Sequence, residues 1–352
     1  MNLNESYGVI VVDSRNSPLW RAATSHAENR NLEVFCADEY FSPHGLSQAI
    51  RNSGCHFVIF SWRGGLDGVL NSYSARKGLS SSKIYIFLLI PDLIGLHKIS
   101  VKELKRIQSV DCLLVTSKQL FEGYSKSYDC EQVMLLRDYP PFGLITEVKN
   151  LNLKRNPNQV IWVGNSEWGQ RSGFKDHKGL NRFARPVMEI VSKKAPGVEF
   201  VVIDSAITKM PYVDVLREIA RSSCLIMTSD SEGTGLPILE AAFLGTPVVS
   251  LDVGIASDLL SGELSNQVSP KNIETFAEKV EETLIRSNSL SKIFLDFSGE
   301  YKARILLDFK KLSFDETRQG TWRTRAITID ITARMKWKYR WIRYRLTNLF
   351  VS

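Results

Sequence analysis

The sequence predicts an α/β chain made of two doubly wound, Rossmann-like domains facing a cleft, followed by a helical C-terminal tail. Three observations carry that prediction. Short apolar runs alternate with helical segments through the first 150 residues. A polar stretch around Val148–Gln159 interrupts the pattern, and the alternation then restarts. A glycine-rich turn joins an apolar run to a helical segment inside the second half. Such alternation argues for parallel sheets covered by helices on both faces. The length of 352 residues fits about two domains. The expected boundaries are 1–150, 151–310 and a 311–352 extension.

In order, Tyr7–Asp13 reads as a buried strand, and Ser17-Pro18 caps a helix. Leu32–Cys36, His56–Phe60, Ile84–Ile90 and Cys112–Thr116 are further strands. In sheets of this kind ligands sit beyond the carboxyl ends of the strands. That singles out the loops Asp13-Ser14-Arg15, Ser61-Trp62-Arg63-Gly64-Gly65 and Pro91 to His97, within which Arg63, Asp92 and His97 carry polar chemistry. Turn chemistry alone also accounts for such residues. After the polar stretch, the reading is strand Val160–Val163, helix Gly179–Lys194, strand Glu199–Ile203, helix Val213–Ser222 and strand Leu225–Thr228. Pro270–Arg286 and Leu290–Lys310 read as amphipathic helices.

Composition excludes several classes. Five cysteines, Cys36, Cys55, Cys112, Cys130 and Cys224, are scattered, and none forms a C-x-x-C pair. A disulfide framework or a zinc site is therefore not expected, and a reducing, cytoplasmic setting is. The N-terminal Met1 to Glu5 shows neither the basic nor the apolar region of a signal peptide. The longest apolar run, Ile84–Ile90, is too short to span a bilayer. A formal net charge of +7 favours acidic ligands such as nucleotide phosphates, lipid pyrophosphates or anionic membranes. The basic residues match no nucleic-acid-binding pattern, so nucleic acid is not expected as a partner.

The chemistry concentrates in Ser229 to Val249. The run Glu232-Gly233-Thr234-Gly235-Leu236-Pro237 reads as a loop entering a helix, Gly245 as the helix end and Val248-Val249 as the next strand. Free N–H groups at that helix start make an anion site. Glu232 lies just before the helix and Glu240 within it, and carboxylates accept hydrogen bonds from sugar hydroxyls. Amides for phosphate and carboxylates for hydroxyls describe a nucleotide-sugar site.

Glu232-x7-Glu240 with Gly-x-Gly-Leu-Pro inside it, followed by Gly245-Thr246-Pro247-Val248-Val249, resembles the donor motif of retaining GT-B glycosyltransferases of the large group 1 family. The resemblance covers roughly Gln159 to Leu260, and it implies a donor domain there and an acceptor domain before it. It implies that Glu232 meets the donor sugar and that Glu240 holds the ribose. Gly233, Thr234, Gly235 and Leu236 would line the donor. In that family a Gly-Arg pair and a Lys-Gly pair supply cations to the diphosphate. Lys178-Gly179 matches the second, but Gly164 is followed by Asn165 rather than arginine. Arg171 and Lys175, in the long loop between them, are candidate substitutes. Asp252-Val253-Gly254-Ile255 resembles a further donor segment of the family, with isoleucine replacing its second glycine. No Asp-x-Asp pair stands in the chain, so no metal and no cofactor is expected.

The tail Met335–Ser352 places Tyr339, Ile342, Leu346, Leu349 and Phe350 on one helical stripe and Lys336, Arg340 and Arg343 on another. Trp337, Trp341 and Tyr344 lie between. That pattern suits a helix on an anionic membrane, and equally one packed on the protein itself. The expected activity is metal-independent transfer of a sugar from a nucleotide-diphosphate donor to a lipid-linked or glycan acceptor, at the inner face of a membrane. The alternative is a catalytically silent assembly or regulatory protein on the same fold.

Overall fold

The computed structural model describes residues 6–15, 17–28, 30–90, 100–128, 133–170 and 173–311. Two compact units divide the chain. The first runs through Thr116 and resumes over Leu120–Asp138, and the second takes Ser117–Gln119 and Tyr139–Leu306.

The first unit is a parallel sheet of β1 (Gly8–Val12), β2 (Leu32–Cys36), β3 (Phe57–Phe60), β4 (Tyr85–Ile90), β5 (Cys112–Val115) and β6 (Val133–Leu135), in the order β2-β1-β3-β4-β5-β6. Side chains of a strand alternate between its faces. Val9 and Val11 accordingly enter one core with Leu46, Val58 and Phe60, while Ile10 and Val12 enter another with Phe57 and Ile59. At β1, β3, β4 and β5 both faces are covered, which is why these strands read as unbroken apolar runs. Serine caps open four helices. Oγ of Ser17, Ser42, Ser72 and Ser100 accepts from the N–H of Trp20, Gly45, Ala75 and Glu103, at 3.0, 3.2, 3.4 and 3.1 Å. Strand β6 escapes the sequence reading, because three half-buried residues give no periodicity.

The second unit is a parallel sheet of β7 (Gln159–Gly164), β8 (Glu199–Asp204), β9 (Cys224–Met227), β10 (Val248–Leu251) and β11 (Val268–Ser269), in the order β11-β10-β9-β7-β8. Helix Phe142–Asn150 belongs to this unit, so the division falls before Tyr139 rather than at residue 150. The reason is packing. Tyr139, Ile145 and Val148 are buried in the second core, and the Phe142 ring stands edge-on to Tyr139 at 5.6 Å and to Phe243 at 5.1 Å. The expected helix over 179–194 opens instead as one π-helical turn, Leu180–Ala184, before the α-helix Arg185–Lys194. The last described helix, Ser287–Lys311, leaves the extension 312–352 outside the described residues.

Among the described residues no helix is long and apolar enough to cross a membrane, and Cys36, Cys55, Cys112 and Cys224 are buried.

Candidate functional site

The site grows from the carboxyl ends of β7 and β9. After β9 the chain turns through Thr228–Gly235 into helix Leu236–Leu244. Gly235 precedes that helix in left-handed backbone, at φ +79°, and no side chain caps the helix start. The Leu236 N–H therefore has no side-chain cap, whereas Pro237 carries no N–H and the Ile238 N–H donates to the Gly235 carbonyl at 2.9 Å; the helix start presents partial positive charge. Pro237 occupies the second helical position rather than the first, where an absent N–H is equally tolerated.

Glu232 is held from two sides. Its Oε1 lies 2.5 Å from Nζ of Lys178 and accepts from Oγ of Ser229 at 2.5 Å. Both partners of the ion pair keep a minor part of their side-chain surface in solvent, 17% for Lys178 and 13% for Glu232. Lys178 reaches this place because of Gly179. Its φ is +68°, and a Cβ there would come within 2.1 Å of the Thr228 carbonyl oxygen. Only glycine permits that close approach of two backbones. Thr228 locks the crossing, since its hydroxyl accepts from the Trp162 indole N–H and donates to the Lys178 carbonyl, both at 3.0 Å.

Glu240 is 3% exposed on a helix whose residues from Ile238 to Leu244 are all buried. A carboxylate in such surroundings requires hydrogen-bond partners. The Tyr212 hydroxyl, at the start of helix Tyr212–Arg221, donates to its Oε1.

The loop after β7 carries the departures from the expected pattern. Oδ1 of Asn165 accepts from the Glu167 N–H at 3.0 Å, so its side chain turns its own loop. Asp204, at the end of β8, anchors the same loop by accepting from the N–H groups of Ser166 and Ala206, each at 3.0 Å. Burial alone would raise its carboxyl pKa, but these hydrogen bonds outweigh burial and hold it below the usual range. Asp176 accepts from the N–H groups of Asn181 and Arg182 at 3.0 and 2.8 Å and so starts the helical turn that follows Lys178. His177 is buried, with Nε2 3.0 Å from the Ser231 carbonyl oxygen, and it ties this loop to the one bearing Glu232.

The structure thus brings Lys178 and Glu232 together and places Gly233, Thr234, Gly235 and Leu236 at the same turn. Thr234 is buried, and its carbonyl accepts from the N–H of Ile255 at 3.0 Å, which brings the segment after β10 onto the turn. Gly164 ends β7, and Lys175 lies exposed on the loop. Arg171, Asp92 and His97 lie outside the described residues. Arg63, in the first unit, is held by a carboxylate. Its Nε donates to Glu103 at 2.9 Å, within a network in which Arg106 donates to Glu103 at 2.7 Å and to both oxygens of Asp67. Ser229 opens the stretch the sequence marks but has no role assigned by it, and Trp168, His177 and Tyr212 are not singled out by the sequence. The first sits three residues before Glu232 and His177 beside Lys178, which is a usable signal. Tyr212 is 28 residues from Glu240 and carries none.

Among the described residues no group of three or more histidine, cysteine or carboxylate side chains is placed to hold a metal ion.

Residues 172–286 match the family model described as "Glycosyl transferases group 1". No curated protein matches the chain. Among solved structures, Anabaena HepE in complex with UDP-glucose matches at 12% identity and TM-score 0.57, over 86% of this chain and 97% of that one. Sucrose-phosphate synthase from Thermosynechococcus elongatus matches at 14% identity and TM-score 0.52, over 86% and 96%. A mutant of S. aureus TarM, in complex with fondaparinux, alpha-GlcNAc-glycerol and UDP, matches at 14% identity and TM-score 0.50, over 81% of this chain and 55% of TarM. This chain therefore spans about half the length of TarM. Through residues 172–286 the chain is similar to the group 1 glycosyl transferases, and its two parallel sheets are those of the GT-B fold.

Proposed function

We propose that this protein transfers a sugar from a nucleotide-diphosphate donor to a lipid-linked or glycan acceptor, with retention of configuration and without a metal ion. The observation that carries the reading is the Lys178–Glu232 pair beside the uncapped start of helix Leu236–Leu244. A cation beside the positive end of a helix supplies what a diphosphate needs, and a carboxylate supplies what a sugar hydroxyl needs. The HepE and TarM complexes, which hold UDP-glucose and UDP, support the donor class.

In this reading Glu240, steadied by Tyr212, accepts from the ribose hydroxyls. Lys178 and the helix N–H groups bind the diphosphate, with Lys175 or Arg171 adding charge. Glu232 orients the donor sugar. The acceptor hydroxyl oxygen attacks the anomeric carbon while the bond from that carbon to the diphosphate oxygen breaks. The proton of the acceptor passes to the departing diphosphate, which Lys178 and the amides stabilise as charge develops on it. No protein nucleophile and no cofactor enters the scheme. The tail 335–352 lies outside the described residues. Its sequence supports docking to an anionic membrane from the cytoplasmic side, where a lipid-linked acceptor would reside.

The test uses the purified full chain with a panel of nucleotide sugars. At least one should raise the melting temperature and release its nucleoside diphosphate slowly in the absence of acceptor. Binding without release under any acceptor condition would favour the silent-protein reading, to which the use of Asn165 in its own turn lends some support. No binding to any donor would remove both.

A further inference from the structure

The loop between β7 and the turn Leu180–Ala184 holds an aromatic cluster that the donor reading leaves unused. The Trp168 ring lies 4.6 Å from the His177 ring and 6.1 Å from that of Phe174, and Phe174 stands edge-on to His177 at 5.1 Å. The cluster is fixed at both ends. The Phe174 N–H donates to the Gly169 carbonyl at 3.1 Å. His177 is bound to the Ser231 carbonyl at 3.0 Å, one residue before Glu232. Nζ of Lys178 lies 5.1 Å from the centroid of the Trp168 ring and 2.5 Å from Glu232. Trp168, His177, Ser231, Glu232 and Lys178 therefore form a closed cycle of contacts in which Trp168 and Glu232 flank the ammonium.

An aromatic face attracts a cation without adding a negative charge. A second carboxylate beside Lys178 would fix the ammonium and also neutralise it. The indole fixes it and leaves its charge for an incoming anion. This matters in a site where asparagine stands after Gly164 and spends its Oδ1 on its own loop.

We propose that Trp168 is a positioning residue for the donor diphosphate, holding the Lys178 ammonium by its ring face where the diphosphate would meet it. The proposal rests on the donor-site reading above.

The experiment measures affinities of the full chain for UDP, GDP, ADP and CDP and for the matching bare nucleosides, by calorimetry. Trp168→Leu keeps an apolar side chain and removes the π face. It should lose about two- to thirtyfold in affinity for the best diphosphate and leave nucleoside affinity unchanged. Trp168→Phe should retain most of the binding. Site-specific replacement of Trp168 by tryptophans bearing one, two and three fluorines keeps the ring shape and weakens its face, and it serves if the leucine variant fails to fold. Diphosphate affinity should then fall stepwise with fluorine number. A flat fluorine series, or a leucine variant that loses nucleoside and diphosphate equally, overturns the proposal and leaves Trp168 a packing residue. If wild type binds and Lys178→Ala loses the diphosphate while every Trp168 variant keeps it, this inference alone fails. If wild type binds none of the four diphosphates, the donor reading fails and this inference with it.

Discussion

Nζ of Lys178 and Oε1 of Glu232 lie 2.5 Å apart, joined across 54 residues of sequence. The two side chains assigned to the diphosphate and to the sugar hold each other, and Ser229 shares the same carboxylate oxygen. In the proposed reading an arriving diphosphate would compete with Glu232 for one ammonium group, and its binding would free the carboxylate for the sugar.

Lys178→Met should weaken nucleoside diphosphate binding by roughly ten- to a hundredfold, the range expected for a lost charge-assisted hydrogen bond, and leave the bare nucleoside nearly unaffected. Glu232→Gln should lower turnover more than diphosphate affinity. Calorimetry and donor-hydrolysis rates read the two effects separately. Wild-type behaviour of both variants would reduce the pair to a surface ion pair.

In the proposed reading Glu240 and Tyr212 serve the nucleoside end of the donor. Glu240→Ala should weaken nucleoside and nucleoside diphosphate alike, which distinguishes it from Lys178. Tyr212→Phe removes the hydroxyl that donates to Glu240 and should cost about 1 kcal/mol in the same measurement. A Tyr212→Phe protein that binds nucleoside as tightly as wild type would show that the carboxylate needs no phenol to hold it.

Gly179→Ala tests the crossing of the two loops. Left-handed backbone costs alanine about 1–2 kcal/mol. The Cβ would also meet the Thr228 carbonyl oxygen at 2.1 Å, so the total loss should exceed that strain. Urea denaturation gives the value. Unchanged stability would mean that the two backbones separate freely.

His26, in the first unit, predicts a pH dependence. It is fully buried, with Nε2 3.0 Å from Oδ1 of Asp138 and Nδ1 beside the Arg30 guanidinium. The neutral ring satisfies both neighbours, accepting from Arg30 and donating to Asp138. Burial, and then the charge of Arg30, push its pKa down despite Asp138. The sign follows from linkage. The unfolded chain takes up the proton near pH 6.5, while the folded chain does not until lower pH. Stability is therefore full above about pH 6.5 and falls as the pH drops below it. Denaturation midpoints between pH 7.5 and 5 should show that slope, and His26→Asn should flatten it. Equal slopes in the two proteins would show that His26 titrates alike in both states.

The sequence by itself determined the fully buried strands and the turn. β1, read as Tyr7–Asp13, runs from Gly8 to Val12, since a strand buried on both faces leaves an unbroken apolar run. Gly245, with φ +73°, closes helix Leu236–Leu244 as its residue type requires. The resemblance carried by Glu232 to Val249 lies within the span of the family match, because local spacing around a helix start is itself the chemistry of that motif. Only the tertiary structure decided the partners. Lys178 meets Glu232, Tyr212 reaches Glu240, and Trp168 faces Lys178 across a loop whose fold depends on Asp204 at the end of another strand. It also decided that Arg63 is spent on Glu103, and that helix Phe142–Asn150 joins the second unit. The physical reason is the same in each case. Period and spacing report which face of its own element a residue takes, whereas a hydrogen bond between elements depends on how two backbones cross, as at Gly179 and Thr228.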